Sequence, residues 1–160
     1  MARLRPADEP PNAADPMSTP AAGSPPAGGA HRLGTVMLID DSDVDLLYAR
    51  LMIERAAVAR ELLSFEEAGE ALAHLQGGAG ETVDVILLDI NMPGMDGFEF
   101  LQALHGPQQR LPVRAVVVML SSSPDPRDHA RAMGFPSVKG YLTKPLTLDA
   151  ARELWRWAAS

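Results

Sequence analysis

At 160 residues the chain has room for one domain with a full-sized core, and a hydrophobic content of 46% fits a globular fold. It has no cysteine, which excludes disulfides, thiolate metal sites and a cysteine nucleophile and fits the expectation of a cytoplasmic protein. The net charge of −7 argues against a basic nucleic-acid face, and no apolar run approaches the roughly 18–20 residues of a membrane span.

Residues 1–32 hold seven of the 14 prolines and almost no aromatic or β-branched side chains. Such a segment cannot repay the entropy of ordering, so it reads as a disordered tail ahead of one domain over residues 33–160. It also lacks the apolar core of a signal peptide. Thr35 to Ile39 reads as a strand ending in Asp40-Asp41. Ser42 or Asp43 then caps a helix to about Ala59. Val44, Leu47, Tyr48 and Leu51 form its expected buried stripe, and Leu46, Ile53 and Ala57 a second one. Glu61 to Phe65 reads as an edge strand. Glu66 to Gln76 reads as a helix with Ala68, Leu72 and Leu75 inward, stopped by Gly77-Gly78.

The run Val85 to Leu88 ends in Asp89 and a Pro/Gly loop, the pattern of a buried strand. Asp96 or Gly97 opens a helix with Phe98, Leu101 and Leu104 inward. Val113 to Leu120 is a further strand, ending in Ser121-Ser122-Ser123. Asp125 caps a helix with Pro126 in its first turn, and Gly134 ends it. Val138 to Leu142 is the last strand, followed by Thr143-Lys144-Pro145. Thr147 caps one final helix to about Ala159, carrying Trp155 and Trp157 on neighbouring stripes. Five strand–helix units in strict alternation predict an α/β fold, a five-stranded parallel sheet with helices on both faces.

In a parallel sheet the strand ends share one edge, where ligands bind. That edge then collects Asp40, Asp41, Asp89, Ser121 and Lys144. Three carboxylates so close repel unless a cation joins them. Hard oxygen ligands suit Mg²⁺, which shares its shell with waters and phosphate oxygens. Lys144 suits a phosphoryl oxygen as a point charge, and Ser121 can donate to another. Asp89 remains as a nucleophile able to accept a phosphoryl group. Positioning and charge neutralisation suffice for such a transfer.

These residues, with Asn91 to Gly97 and Tyr141 before Lys144-Pro145, resemble the receiver domain of two-component response regulators. The resemblance runs from Thr35 to the C-terminus. It implies strand order 2-1-3-4-5 in a doubly wound, flavodoxin-like receiver fold. It implies Asp89 as phosphoacceptor. Asp41 and Asp89 would be direct Mg²⁺ ligands together with the Asn91 backbone carbonyl, and Asp40 would act mainly through a water on the metal. Lys144 would be the phosphate partner, joined to Pro145 by a cis bond. Ser121 would be the switch hydroxyl and Tyr141 the switch aromatic, with the side chains of Asn91 and Ser123 tuning dephosphorylation. The family implies a phosphoacceptor signalling protein rather than an enzyme with an outside substrate. Its partners would be a histidine kinase or histidine phosphotransfer protein and a downstream protein, reached directly or by a phosphorelay. Leu46 and Ile53 would lie on the kinase face, and Trp157 on a partner or homodimer face of the last helix, the first helix being the other candidate.

The acidic opening extends to Asp43 and Asp45, and in this it resembles the stand-alone receivers that accompany phytochrome-like kinases. Asp43 and Asp45 are expected to cap the helix and complement its dipole. Asp41 to Asp45 fails as a calcium loop, since Leu46 and Met52 stand where Gly and Glu are needed. A haloacid-dehalogenase-type nucleophile at Asp41 would leave Asp89 and Met92-Pro93 unexplained. The stretch Phe135 to Gly140 is longer than the family's usual link into the last strand. His31, His74, His105 and His129 show no ligand spacing. No output domain is expected after the last helix, which gives a single-domain regulator; a pseudo-receiver that never carries phosphate and a true phosphatase are the alternatives.

Overall fold

The computed structural model describes residues 32–107 and 113–159. Apart from Arg32, the tail lies outside the described residues, and so does His31. The elements follow in chain order as β1 (Leu33–Ile39), α1 (Asp43–Ala56), β2 (Ala59–Phe65), α2 (Ala68–Gln76), β3 (Val83–Asp89), α3 (Gly97–Leu104), β4 (Val116–Ser121), α4 (Pro126–Met133), β5 (Val138–Thr143), α5 (Leu148–Arg152) and α6 (Leu154–Ala159). The five strands form one sheet in the order β2-β1-β3-β4-β5, every pairing parallel. The fold class is the one expected from the strand–helix alternation, and the strand order is the one the family resemblance implies. β2 is an edge strand and carries Arg60 and Glu61 outward, charges that discourage pairing with another chain.

The strands β1, β3 and β4 are buried on both faces, which is why they read as continuous apolar runs. On one face Met37, Ile86, Leu88 and Met119 meet α2 through Leu72 and Leu75 and α3 through Phe98 and Leu101. On the other, Val36, Leu38, Leu87 and Val118 meet α1, α5 and α6. The helix starts follow sequence rules. Ser42 accepts from the Asp45 N–H, Asp125 from that of Arg127, and Thr147 from that of Ala150. Asp96 and Glu99 form a reciprocal capping box.

Two expectations fail. The buried face of α1 is Leu46, Ala49, Met52, Ile53 and Ala56; Val44, Leu47, Tyr48 and Leu51 are exposed. Both sets recur at helical spacing, so periodicity could not rank them. The winning face carries Ala49 and Ala56, whose small side chains let the helix axis approach the sheet. Leu46 and Ile53 are therefore core residues and not a kinase face. The predicted last helix is also two helices: at Glu153 the N–H turns back to the Ala150 carbonyl, which tightens the chain between α5 and α6. Beyond that break Trp157 is half-buried against β5, where a Cβ on Gly140 would lie 2.8 Å from the indole Cε2. Trp155 packs under the Arg32 guanidinium, 4.2 Å from the ring centroid. The stretch after Gly134 is taken up by a turn, with the Phe135 carbonyl accepting from the Val138 N–H.

Candidate functional site

The parallel sheet brings the ends of β1, β3, β4 and β5 to one edge. Asp40 follows β1, Asp89 closes β3, Ser121 closes β4, and Lys144 follows β5. Register holds them level: Asp89 faces Leu120 across one pairing, and Ser121 faces Thr143 across the next. The Lys144 N–H donates to the Ser121 carbonyl at 2.7 Å, which ties the last two strand ends together. The Lys144–Pro145 bond is cis.

Asp40, Asp89 and Ser121 are buried, 5%, 6% and 1% exposed, in a sheet whose other buried side chains are almost all apolar. Buried charges persist only when paired. Here the Lys144 ammonium pairs them. Its Nζ lies 2.6 Å from Asp40 Oδ2, 2.9 Å from Asp45 Oδ2 and 3.3 Å from Asp89 Oδ1. Asp40 is fully engaged, because its Oδ1 accepts from the Ser42 N–H at 2.9 Å. Asp41 is exposed.

The electrostatics follow from this packing. Burial pushes the Asp89 carboxyl up to about 6; the Asp40 charge pushes the same way, the Lys144 ammonium opposes, and Asp41 adds a further upward push. For Lys144, burial works to lower the pKa. Hydrogen bonds to Asp40 and Asp45, with the charges of Asp40 and Asp89, outweigh it and hold the ammonium above its ordinary range.

Asp40, Asp41 and Asp89 each offer a carboxylate oxygen, and these oxygens lie within 4.8 Å of one another. An all-oxygen, strongly anionic set with one member open to water fits Mg²⁺. It suits a thiophilic metal poorly.

The loop after β3 is built by two glycines. Gly94 takes a φ of +81°, which a Cβ would resist. Gly97 donates its N–H to the Ile90 carbonyl at 2.8 Å, and a Cβ there would lie 2.5 Å from the Asp89 carbonyl oxygen. Only glycine lets α3 start this close to the strand end. Asn91 stands exposed at the head of the loop.

The hydroxyl of Ser121 is turned into its own loop: it donates to the Ser123 carbonyl at 2.9 Å and accepts from the Ser123 N–H at 3.1 Å. The Tyr141 hydroxyl reaches the same carbonyl at 3.5 Å, and its ring lies 5.0 Å from that of His129. Ser123 is exposed. Beside Tyr141 a cleft of about 330 Å³ is lined by Pro124, Pro126, His129 and Thr143. A larger cleft of about 430 Å³ lies at the opposite edge of the sheet, around Arg32, Asp84, Arg114 and Trp155, and holds none of these residues.

Asp45 is the residue that sequence reasoning missed. In the sequence it reads as part of the helix start, and its N–H does bond to Ser42 Oγ at 3.2 Å. Its carboxylate instead reaches Lys144. The available signal was its place, one helical turn after Asp41 on a helix that begins at the strand-end edge. Of the remaining histidines, His105 bonds Ser137 at 2.8 Å and His74 packs on Phe65.

Comparison with known proteins agrees with this geometry. Residues 36–156 match the family model described as the response regulator receiver domain. The DNA-binding transcriptional regulator NtrC of Salmonella typhimurium is 36% identical over 129 residues, 79% of this chain and 25% of that protein. The chain thus spans about a quarter of that relative's length. A two-component response regulator from Cytophaga hutchinsonii superimposes with a TM-score of 0.72 at 32% identity, covering 79% of this chain and 97% of that one. The bacteriophytochrome response regulator AtBRR superimposes with a TM-score of 0.63 at 25% identity, covering 79% and 93%. With its acidic strand ends, its lysine before a cis-proline and its family match over residues 36–156, the chain belongs to the response regulator receiver domains.

Proposed function

We propose that this receiver accepts a phosphoryl group on Asp89 from a phosphohistidine of a histidine kinase or histidine phosphotransfer protein. The observation that carries this reading is the Lys144 ammonium held 3.3 Å from Asp89 Oδ1 at a sheet edge that gathers three carboxylates. An Asp89 carboxylate oxygen attacks the phosphorus and forms the new P–O bond. The P–N bond to the donor histidine, whose other ring nitrogen carries a proton, breaks; its electron pair returns to the ring, which leaves as neutral imidazole. Lys144 offers an N–H to a phosphoryl oxygen, and the loop built on Gly94 and Gly97 keeps Asp89 at the strand end. Asp41, Asp89 and the Asn91 carbonyl, supported by Asp40, are the residues proposed to hold Mg²⁺, which supplies positive charge to the phosphoryl oxygens.

The readout proposed is local. Ser121 leaves its bond to Ser123 for the phosphoryl group, and Tyr141 follows into the space given up, which reshapes the cleft beside His129. Asn91 and Ser123, exposed at the site's rim, set how fast water removes the phosphoryl group. The donor's helical domain is proposed to meet α1 through Val44, Leu47, Tyr48 and Leu51, an apolar strip exposed by 69%, 59%, 43% and 44% beside the site. The likeness to a bacteriophytochrome response regulator supports a phytochrome-like kinase as that donor.

The test is incubation with Mg²⁺ and acetyl phosphate, read by intact mass. Wild type gains one phosphoryl group, and Asp89→Asn gains none. No gain on the wild type supports a pseudo-receiver instead, and sustained turnover of a phosphate ester supports a phosphatase.

A further inference from the structure

An ammonium has three N–H groups, and in this structure each of three carboxylates lies within reach of Lys144 Nζ. A phosphoryl oxygen arriving at Asp89 therefore has to take a donor already in use. The three partners are not equal. Asp40 is the nearest, and its side chain is 7% exposed, so breaking that pair would strand a buried charge. Asp89 is the acceptor itself. Asp45 is 42% exposed at the side chain and sits in the first turn of α1, where water can replace the ammonium at small cost. Ser42 Oγ accepts from the Asp45 N–H and closes that turn, which sets where the Asp45 backbone stands.

We propose that Asp45 is a positioning residue that parks Lys144 in the resting state and is exchanged for a phosphoryl oxygen when Asp89 is modified. This rests on the phosphoacceptor reading of Asp89. The Asp45–Lys144 pair opposes phosphorylation by what it costs to break, and its release frees the first turn of α1 beside the apolar strip. Modification of Asp89 and the state of that helix end are thus linked through one ion pair.

The chain offers a direct probe. It has two lysines, Lys139 and Lys144, so ¹⁵N-lysine labelling of the full chain gives two side-chain signals to assign. In the metal-free protein Asp45→Asn should shift the Lys144 Nζ resonance. With Mg²⁺ and beryllofluoride bound, wild type and Asp45→Asn should give the same Lys144 signal. Calorimetric titration of the Mg²⁺-loaded protein with beryllofluoride should show Asp45→Asn binding roughly two- to fivefold tighter, the value of a partly exposed ion pair. Asp43→Asn removes an equal charge from the same turn, and no ion pair between Asp43 and Lys144 occurs among the described residues; its affinity should stay at the wild-type value.

A Lys144 signal indifferent to Asp45→Asn at rest would overturn the proposal. So would unchanged or weaker beryllofluoride binding by that variant, or equal tightening by Asp43→Asn, which would show a bulk charge effect. If the wild type itself binds no beryllofluoride, the phosphoacceptor reading fails; if the wild type binds and the variant matches it, only the role of Asp45 fails.

Discussion

Lys144 Nζ stands 2.6 Å from Asp40 Oδ2 and 3.3 Å from Asp89 Oδ1, so Asp40 is the ammonium's nearer partner. A buried carboxylate that anchors the lysine leaves Asp89 the more loosely held of the two. Lys144→Met should destabilise the metal-free protein at neutral pH by roughly 2–3 kcal/mol, somewhat below the cost of breaking a fully buried pair. Urea unfolding with a chelator present measures it. Mg²⁺ held as proposed would neutralise the same carboxylates and should recover part of the loss. A variant as stable as wild type would mean that the cluster does not depend on its ammonium.

Asp89 gives a stability prediction with a definite sign. In an unfolded chain an aspartate ionises near pH 4. In the fold Asp89 ionises at about 6, chiefly because it is buried. The folded state thus holds this proton more tightly, and the resulting stability is full below about pH 4 and lost as pH rises through about 6. Asparagine has no proton to lose. Metal-free Asp89→Asn should therefore exceed wild type in stability by roughly 1–3 kcal/mol at pH 7.5, with the gap closing by pH 4. Thermal unfolding in chelator across that range is the measurement. A gap independent of pH would contradict the raised pKa.

α1 separates a core face from a surface face. Ile53 is 1% exposed and Leu47 59%. Ile53→Ala should cost about 2–4 kcal/mol in urea unfolding. Leu47→Ala should change stability by no more than about 0.5 kcal/mol. Leu47→Ala should nevertheless slow transfer from a phosphorylated donor protein while leaving acetyl phosphate labelling unchanged. Equal effects on both donors would remove the case for a partner face at Leu47.

Gly97→Ala tests the loop. The added Cβ would lie 2.5 Å from the Asp89 carbonyl oxygen, a backbone atom that cannot swing away as a side chain does. The start of α3 must shift, at a cost of about 1–3 kcal/mol. Because the shift falls at Asp89, labelling by acetyl phosphate should drop more than stability does. Wild-type labelling in a folded Gly97→Ala protein would show that the close approach is not needed.

Much of this was legible in the sequence because the fold ends each apolar strand in a polar residue. Ile39-Asp40, Leu88-Asp89 and Leu120-Ser121 mark the edge by themselves, and parallel topology then assembles the site. Helix starts were legible too, since Ser42, Asp96, Asp125 and Thr147 are capping residues by type. The orientation of α1 was not. Two apolar stripes share its helical period, and the choice rests on how closely Ala49 and Ala56 let it pack, a property of the assembled sheet. The break at Glu153 left no glycine or proline to announce it. Asp45 was hidden for a different reason: its sequence neighbours explain it as a helix-start residue, and its real partner lies 99 positions away.

Borohydride trapping tests whether Asp89 is the phosphoacceptor. Borohydride reduces an aspartyl phosphate to homoserine. After labelling with acetyl phosphate and Mg²⁺, reduction and peptide mass mapping, homoserine should appear at position 89 and nowhere else. Homoserine at Asp40, Asp41 or Asp45, or at no position in a protein that has gained a phosphoryl group, would contradict the account.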